Sequence, residues 1–333
     1  MRNVGKNGLC AIDSTIYLAL PESTDMALPT KLILLLITVL LAAVVTVACS
    51  PLRVINAVTP GGSSEKMHDI AYGSDPRNKL DIYRPQEGGT AAPVVVFFYG
   101  GSWNTGSRRD YAFVGEALAA RGIVAVLPDY RLYPQVRYPD FLDDSAQAVA
   151  WTLKEIDKHG GDPKRVFVMG HSAGAYNAAM VAIDPRWLAK QGIAPTALRG
   201  LIGLAGPYDF IPITNPDAQP VFFHPNTPPS SMPVNHVSAN VPPALLIASH
   251  EDKIVNAVRN TGGLSRRLRE AGVPVQEVYF DQTSHASLIG AIAWPLRGIA
   301  PVLDTVVAYV QSDAGRANSA AAPRASVATS PVK

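Results

Sequence analysis

Between residues 67 and 312 the chain alternates short, wholly apolar runs with longer amphipathic stretches. Met67–Tyr72 and Leu80–Tyr83 have the lengths and alternation of an early hairpin. Pro93–Tyr99 is apolar without a break, as expected of a strand buried on both faces. Further strands are predicted at Ile123–Leu127, Arg165–Met169, Leu201–Leu204, Ala244–Ala248 and Val275–Phe280. Helical spacing covers Tyr111–Arg121, ending at Gly122, and Asp140–His159, closed by Gly160-Gly161. It recurs over Ala173–Ile183, Thr261–Ala271 and Pro295–Gln311. This alternation implies an α/β fold with a mostly parallel central sheet flanked by helices on both faces.

Three stretches break the rhythm. Gly206–Pro243 is rich in Pro and Asn with little periodicity, and is read as a lid or a pocket wall (206–243). From Lys31 to Ala48 the chain is apolar on every face, then reaches Cys49-Ser50-Pro51. That run suits a cleaved signal peptide, a lipoprotein signal lipidated at Cys49, or an uncleaved anchor. Met26 stands before Lys31 where a short basic leader would start, so residues 1–25 are read as an upstream extension or a mis-called start. Residues 313–333 hold little to bury and read as a disordered tail. The expected organisation is thus an N-terminal extension with signal or anchor (1–49), a linker (50–66), one catalytic domain (67–312) and the tail.

Composition narrows the chemistry. Hydrophobic residues make up 47% and charged ones 17%, so the bulk of the chain can fold as one large domain. A formal net charge of +2 selects neither nucleic acid nor an acidic partner. Both cysteines, Cys10 and Cys49, precede the alternating region, which therefore has no disulfide, thiol nucleophile or cysteine-bound metal. A hydroxyl nucleophile is left.

Gly170-His171-Ser172-Ala173-Gly174 supplies one. It is G-x-S-x-G directly after a strand and before a helix of small residues. The strand must turn sharply into the helix to expose the serine oxygen, and small neighbours permit the close approach. The helix start then aims N–H groups and the positive dipole end at the reacting site. Past the earlier strand comes Gly100-Gly101-Ser102-Trp103. Acyl transfer builds negative charge on a carbonyl oxygen, so the N–H groups of Gly101, Ser102 and Ala173 are the oxyanion-hole candidates. Trp103 and Gly100 are candidate substrate contacts, with a core tryptophan as the equal alternative for Trp103.

After such a nucleophile the acid and then the histidine follow in chain order. Of seven histidines, His285 is the only one beyond residue 250, and it sits past the strand ending at Phe280. The acid should follow Ala244–Ala248. Asp252 is the first choice there, Glu251 the second, and Asp281 remains possible. The set supports two-step acyl transfer: His285 deprotonates Ser172, which attacks an ester carbonyl, and water then releases the acyl group.

With these residues in place, the chain resembles the esterase/lipase group of α/β-hydrolases. The branch is that of hormone-sensitive-lipase-like, feruloyl-esterase-like and kynurenine-formamidase-like proteins. The carriers are Tyr99-Gly-Gly-Ser-Trp103, Pro128-Asp-Tyr-Arg-Leu132, Gly170-His-Ser-Ala-Gly174, Gly206-Pro-Tyr-Asp209, Asp252 and His285. The resemblance implies an α/β-hydrolase fold over 67–312 in a bacterial, membrane-tethered carboxylesterase. It also implies a small ester substrate and neither cofactor nor metal. Tyr99 departs from the family's usual histidine, a supporting residue, which leaves the subfamily open. The same machinery would serve an arylformamidase or an aminopeptidase-like amidase. A non-catalytic, tethered binding protein is the alternative of another class.

Overall fold

The computed structural model describes residues 28–29, 31–38, 51–60, 62, 64–86 and 91–312. The chain divides into two units, Met1–Pro51 and Leu52–Lys333. In the first, residues 31–38 are helical, with the apolar side chains from Leu32 to Ile37 exposed. Among the described residues no helix is long and apolar enough to cross a membrane. The expectations about residues 1–25, Cys49 and 313–333 fall outside the described residues.

The second unit is built on an eight-stranded sheet. Its strands are β1 (Ser64–Ala71), β2 (Lys79–Pro85), β3 (Ala92–Phe98), β4 (Val124–Pro128), β5 (Gly161–His171), β6 (Gly200–Leu204), β7 (Ala244–Ala248) and β8 (Val275–Tyr279). The order is β1-β2-β4-β3-β5-β6-β7-β8. The β1–β2 and β2–β4 pairings are antiparallel and the rest parallel. Every residue of β4, β6 and β7 is buried, as are Pro93–Phe98 of β3. Successive side chains of a strand point to opposite faces, so both faces of the sheet are covered. At one edge, β1 carries Glu65, Lys66 and Asp69, charges that discourage edge-to-edge pairing.

The helices are α1 (Pro51–Val58), α2 (Ala112–Ala119), α3 (Asp140–Glu155), α4 (Ala173–Ile183), α5 (Pro185–Ala189), α6 (Gly263–Glu270), α7 (His285–Gly290) and α8 (Val302–Gln311). Two expectations are corrected here. The linker over 50–66 is in large part structured. Leu52 and Ile55 of α1 pack against the core. The Asn56 amide donates to the carbonyls of Arg109 and Asp110, each at 3.0 Å, and its oxygen accepts from Phe113 N–H at 3.0 Å. Pro51 is tolerated at a first helical position, and β1 already begins at Ser64. The last helix starts at Val302 rather than Pro295, because Pro301 has no N–H to continue a helix and residues 294–296 form a separate turn.

The irregular segment 206–243 is also more ordered than a flap. Tyr208, Val221, Phe222 and Met232 are buried, and Phe222 meets Trp103 edge-on at 4.7 Å.

Near the β1–β2 end lies a buried ion network. Arg108 Nε donates to Asp81 at 2.8 Å, and its other guanidinium nitrogens donate to Asp129 and Asp69. Asp129 also accepts from Arg108 N–H at 2.7 Å, which pins the turn after β4. Removing one partner of a buried pair leaves charge uncompensated and costs about 3–5 kcal/mol. Arg108→Met is therefore expected to destabilise the fold by that order, measured by urea unfolding. A loss under about 1 kcal/mol, the size of an exposed pair, would refute it.

Candidate active site

Ser172 occupies the turn from β5 into α4 with φ +54° and ψ −123°, a region that side chains avoid. Two close approaches force this turn to carry glycines. A Cβ on Gly174 would lie 2.0 Å from the Phe98 carbonyl oxygen, and one on Gly170 would lie 2.2 Å from that of Gly174. The serine N–H donates to the Leu204 carbonyl at 2.9 Å, which ties the turn to β6.

His285 opens α7 rather than lying free in a loop, and Ser284 caps that helix in a reciprocal capping box with Ser287. Its Nε2 is 2.8 Å from Ser172 Oγ, and its Nδ1 is 2.7 Å from Asp252 Oδ2. A carboxylate only accepts, so Nδ1–H donates to Asp252 and Nε2 is left to accept from the serine hydroxyl. Asp252 Oδ1 takes N–H groups of Ile254 (2.8 Å) and Val255 (3.0 Å). Burial alone would raise the Asp252 pKa. The bond with His285, the electrostatic pull of its imidazole and these two N–H groups outweigh that and hold the carboxyl below its ordinary range.

The other two acids point elsewhere. Glu251 is exposed and reaches Lys253 at 3.3 Å. Asp281 accepts from the His250 N–H at 3.0 Å and lies 2.8 Å from its Nδ1.

One residue of the site escaped the sequence reading. His171 is fully enclosed, and its Nε2 lies 2.9 Å from the His285 carbonyl oxygen. A carbonyl only accepts, so the proton is on Nε2 and the ring anchors the His285 backbone. Burial, then the nearby His285, pushes its pKa down to about 3, so it stays neutral at ordinary pH. Its position inside the serine motif was its only signal.

Ser102, Ser172, Ala173 and Trp103 line one cavity of about 360 Å³, together with side chains drawn from the stretches Pro207–Ala218 and Asp252–Asn260. Within the irregular segment, side chains between Pro207 and Ala218 border this cavity. Gly101, Ser102 and Trp103 all have positive φ, at 132°, 47° and 58°. The Gly101 carbonyl holds this tight turn by accepting from Asn104 and Thr105. The Ala173 N–H belongs to the first turn of α4, where no intrahelical acceptor exists. Trp103 is buried, donates Nε1–H to Asn177 at 2.9 Å, and also lines the cavity. Gly100 lies against the nucleophile, where a Cβ would come 3.0 Å from Ser172 Cβ; neither it nor Gly101 lines the cavity itself. Tyr99, the departure from the usual histidine, is structural. It stacks on Tyr130 at 4.7 Å and accepts from Arg77 at 2.8 Å. Among the described residues no group of three His, Cys, Asp or Glu could hold a metal.

The BD-FAE family model matches residues 80–268. A probable isoprenylcysteine alpha-carbonyl methylesterase of Oryza sativa subsp. japonica is 36% identical over 154 residues, 45% of this chain and 36% of that one. Esterase LipC of Mycobacterium tuberculosis is 33% identical over 221 residues, 60% of this chain and 54% of that one. The chain thus spans between about a third and a half of the length of these curated relatives. The hyperthermophilic esterase from Pyrobaculum calidifontis superposes with a TM-score of 0.64 at 23% identity, over 79% of this chain and 87% of that one. A bacterial heroin esterase does so with 0.60 at 22%, over 75% and 85%. At these identities the structures establish the α/β-hydrolase fold.

Proposed function

The chain belongs to the BD-FAE family, and from that premise we propose that it is a serine carboxylesterase that cleaves a small carboxylic ester through an acyl-enzyme on Ser172. One observation carries the reading: the continuous contact from Asp252 through His285 to Ser172. In the first step His285 Nε2 takes the serine proton as Oγ attacks the ester carbonyl. The ionised Asp252 holds the correct tautomer and stabilises the imidazolium that forms. N–H groups of Gly101, Ser102 and Ala173 receive the oxyanion. His285 returns the proton to the leaving alcohol, then activates the water that frees the acid. The ester-cleaving relatives favour an ester over an amide.

The proposal includes a location. The apolar run after Lys31 and the following Cys49 support export, with the catalytic unit at the outer face of a membrane. One experiment addresses both parts. Full-length protein from a bacterial host is fractionated, labelled with a fluorophosphonate probe and digested for mass spectrometry. The adduct is expected on Ser172, in protein recovered with membranes. An unlabelled Ser172 peptide would overturn the chemistry, and recovery only from cytosol would overturn the location.

A further inference from the structure

A second cavity, of about 330 Å³, adjoins the first. Asp209 and Arg259 line both, so this pair is the partition between them. Arg259 donates to the two Asp209 oxygens at 2.9 and 3.2 Å, and to the Ile211 carbonyl. Both side chains are about 40% exposed, and an ion pair so placed holds weakly. The frame behind it is firm. Buried Asn260 accepts from Tyr208 N–H at 2.7 Å and Asp209 N–H at 2.8 Å, and donates to Asn256 at 3.0 Å. The partition is therefore a displaceable side-chain wall on a fixed backbone.

Beyond it, the second cavity has apolar walls at Val234 and Val258 and two more cations, Arg266 and Arg267, from α6. Asp209 is the one carboxylate in that lining, and Arg259 already engages it. Arg266 reaches Glu270 only at 3.9 Å. Arg267 is exposed, and its side chain has no hydrogen bond or ion pair among the described residues. A guanidinium without a side-chain partner, facing a cavity that adjoins the one holding the nucleophile, suits a carboxylate, which it can grip through two parallel N–H bonds.

We propose that the second cavity is an anion subsite, and that the substrate is an elongated ester with a carboxylate at its far end. The ester carbonyl lies at Ser172. The aliphatic middle displaces Arg259 and passes between Val234 and Val258, and the carboxylate meets Arg267. This assignment rests on the serine-esterase reading of the first cavity.

The test compares 4-nitrophenyl esters of monocarboxylic acids with the half-esters of dicarboxylic acids of equal length, from five to ten carbons. Enzyme concentration is set by active-site titration of Ser172 with a fluorophosphonate. The ratio of kcat/KM, half-ester over monoacid ester, is expected to rise with chain length. In Arg267→Ala the ratio is expected to fall about tenfold, the size of one charge-assisted bond. Arg267→Lys should restore part of it, and 0.5 M salt should lower it in the wild type. A ratio at or below one at every length, or one unchanged in Arg267→Ala, would overturn the subsite while ester cleavage stands. No titratable serine and no cleavage of either series would overturn both readings.

Discussion

Replacing Ser172 by alanine is expected to lower kcat on 4-nitrophenyl butyrate by about 10⁶, because losing the nucleophile of such a triad costs about as much as losing the triad whole. The residual rate would come from the oxyanion donors and binding alone. Stability gives an independent readout. Alanine keeps the Cβ that makes φ +54° unfavourable, so Ser172→Ala should unfold near the wild-type midpoint. Glycine removes the Cβ. Relief of about 1–3 kcal/mol of strain exceeds glycine's entropic cost of about 0.5–1 kcal/mol. Ser172→Gly should therefore be equally inactive but more stable by about 1 kcal/mol in urea unfolding. An alanine variant within tenfold of wild-type activity would sink the assignment. A glycine variant less stable than the alanine one would remove the strain argument.

That strained turn also shows what one-dimensional reading can reach. The expected α4 and β7 coincide with the observed elements residue for residue. Both are runs of apolar and small residues bounded by sharp changes of pattern, so local sequence and tertiary burial agree. α1 and the start of α8 depart from the pattern where prolines dominate the signal. Pro51 starts a helix, while Pro301 delays one, and the residue type is the same. The partner of a helix face decides such cases, and for α1 that partner is the chain near Arg109–Phe113. The site divides in the same way. Ser172 and His285 were legible because a motif and a chain order constrain them. The anchoring of His285 by His171 and the Asp209–Arg259 partition were not, because the partners lie 114 and 50 residues apart and only the fold joins them.

The acid is the case where sequence left three candidates and geometry separates them, and its test is correspondingly sharp. Asp252→Asn is expected to lower kcat by about 10⁴. The amide can present N–H to Nδ1, which reverses the tautomer, moves the proton to Nε2 and leaves nothing to accept from Ser172. Glu251→Gln and Asp281→Asn should stay within a few-fold of wild type, since one side chain faces Lys253 and the other His250. Acidity adds a second check. Because Asp252 is held below its ordinary pKa, its ionised form stabilises the fold above the unfolded-state value. That contribution fades only as pH drops through the lower, folded-state value. Between pH 7 and pH 5 the carboxylate therefore stays charged, and the share of the stability gap between wild type and Asp252→Asn that its ionisation supplies should be retained over that range. Below the ordinary carboxylate pKa the gap should close. A gap that vanishes by pH 5, or a loss of kcat in Asp281→Asn equal to that in Asp252→Asn, would place the acid elsewhere.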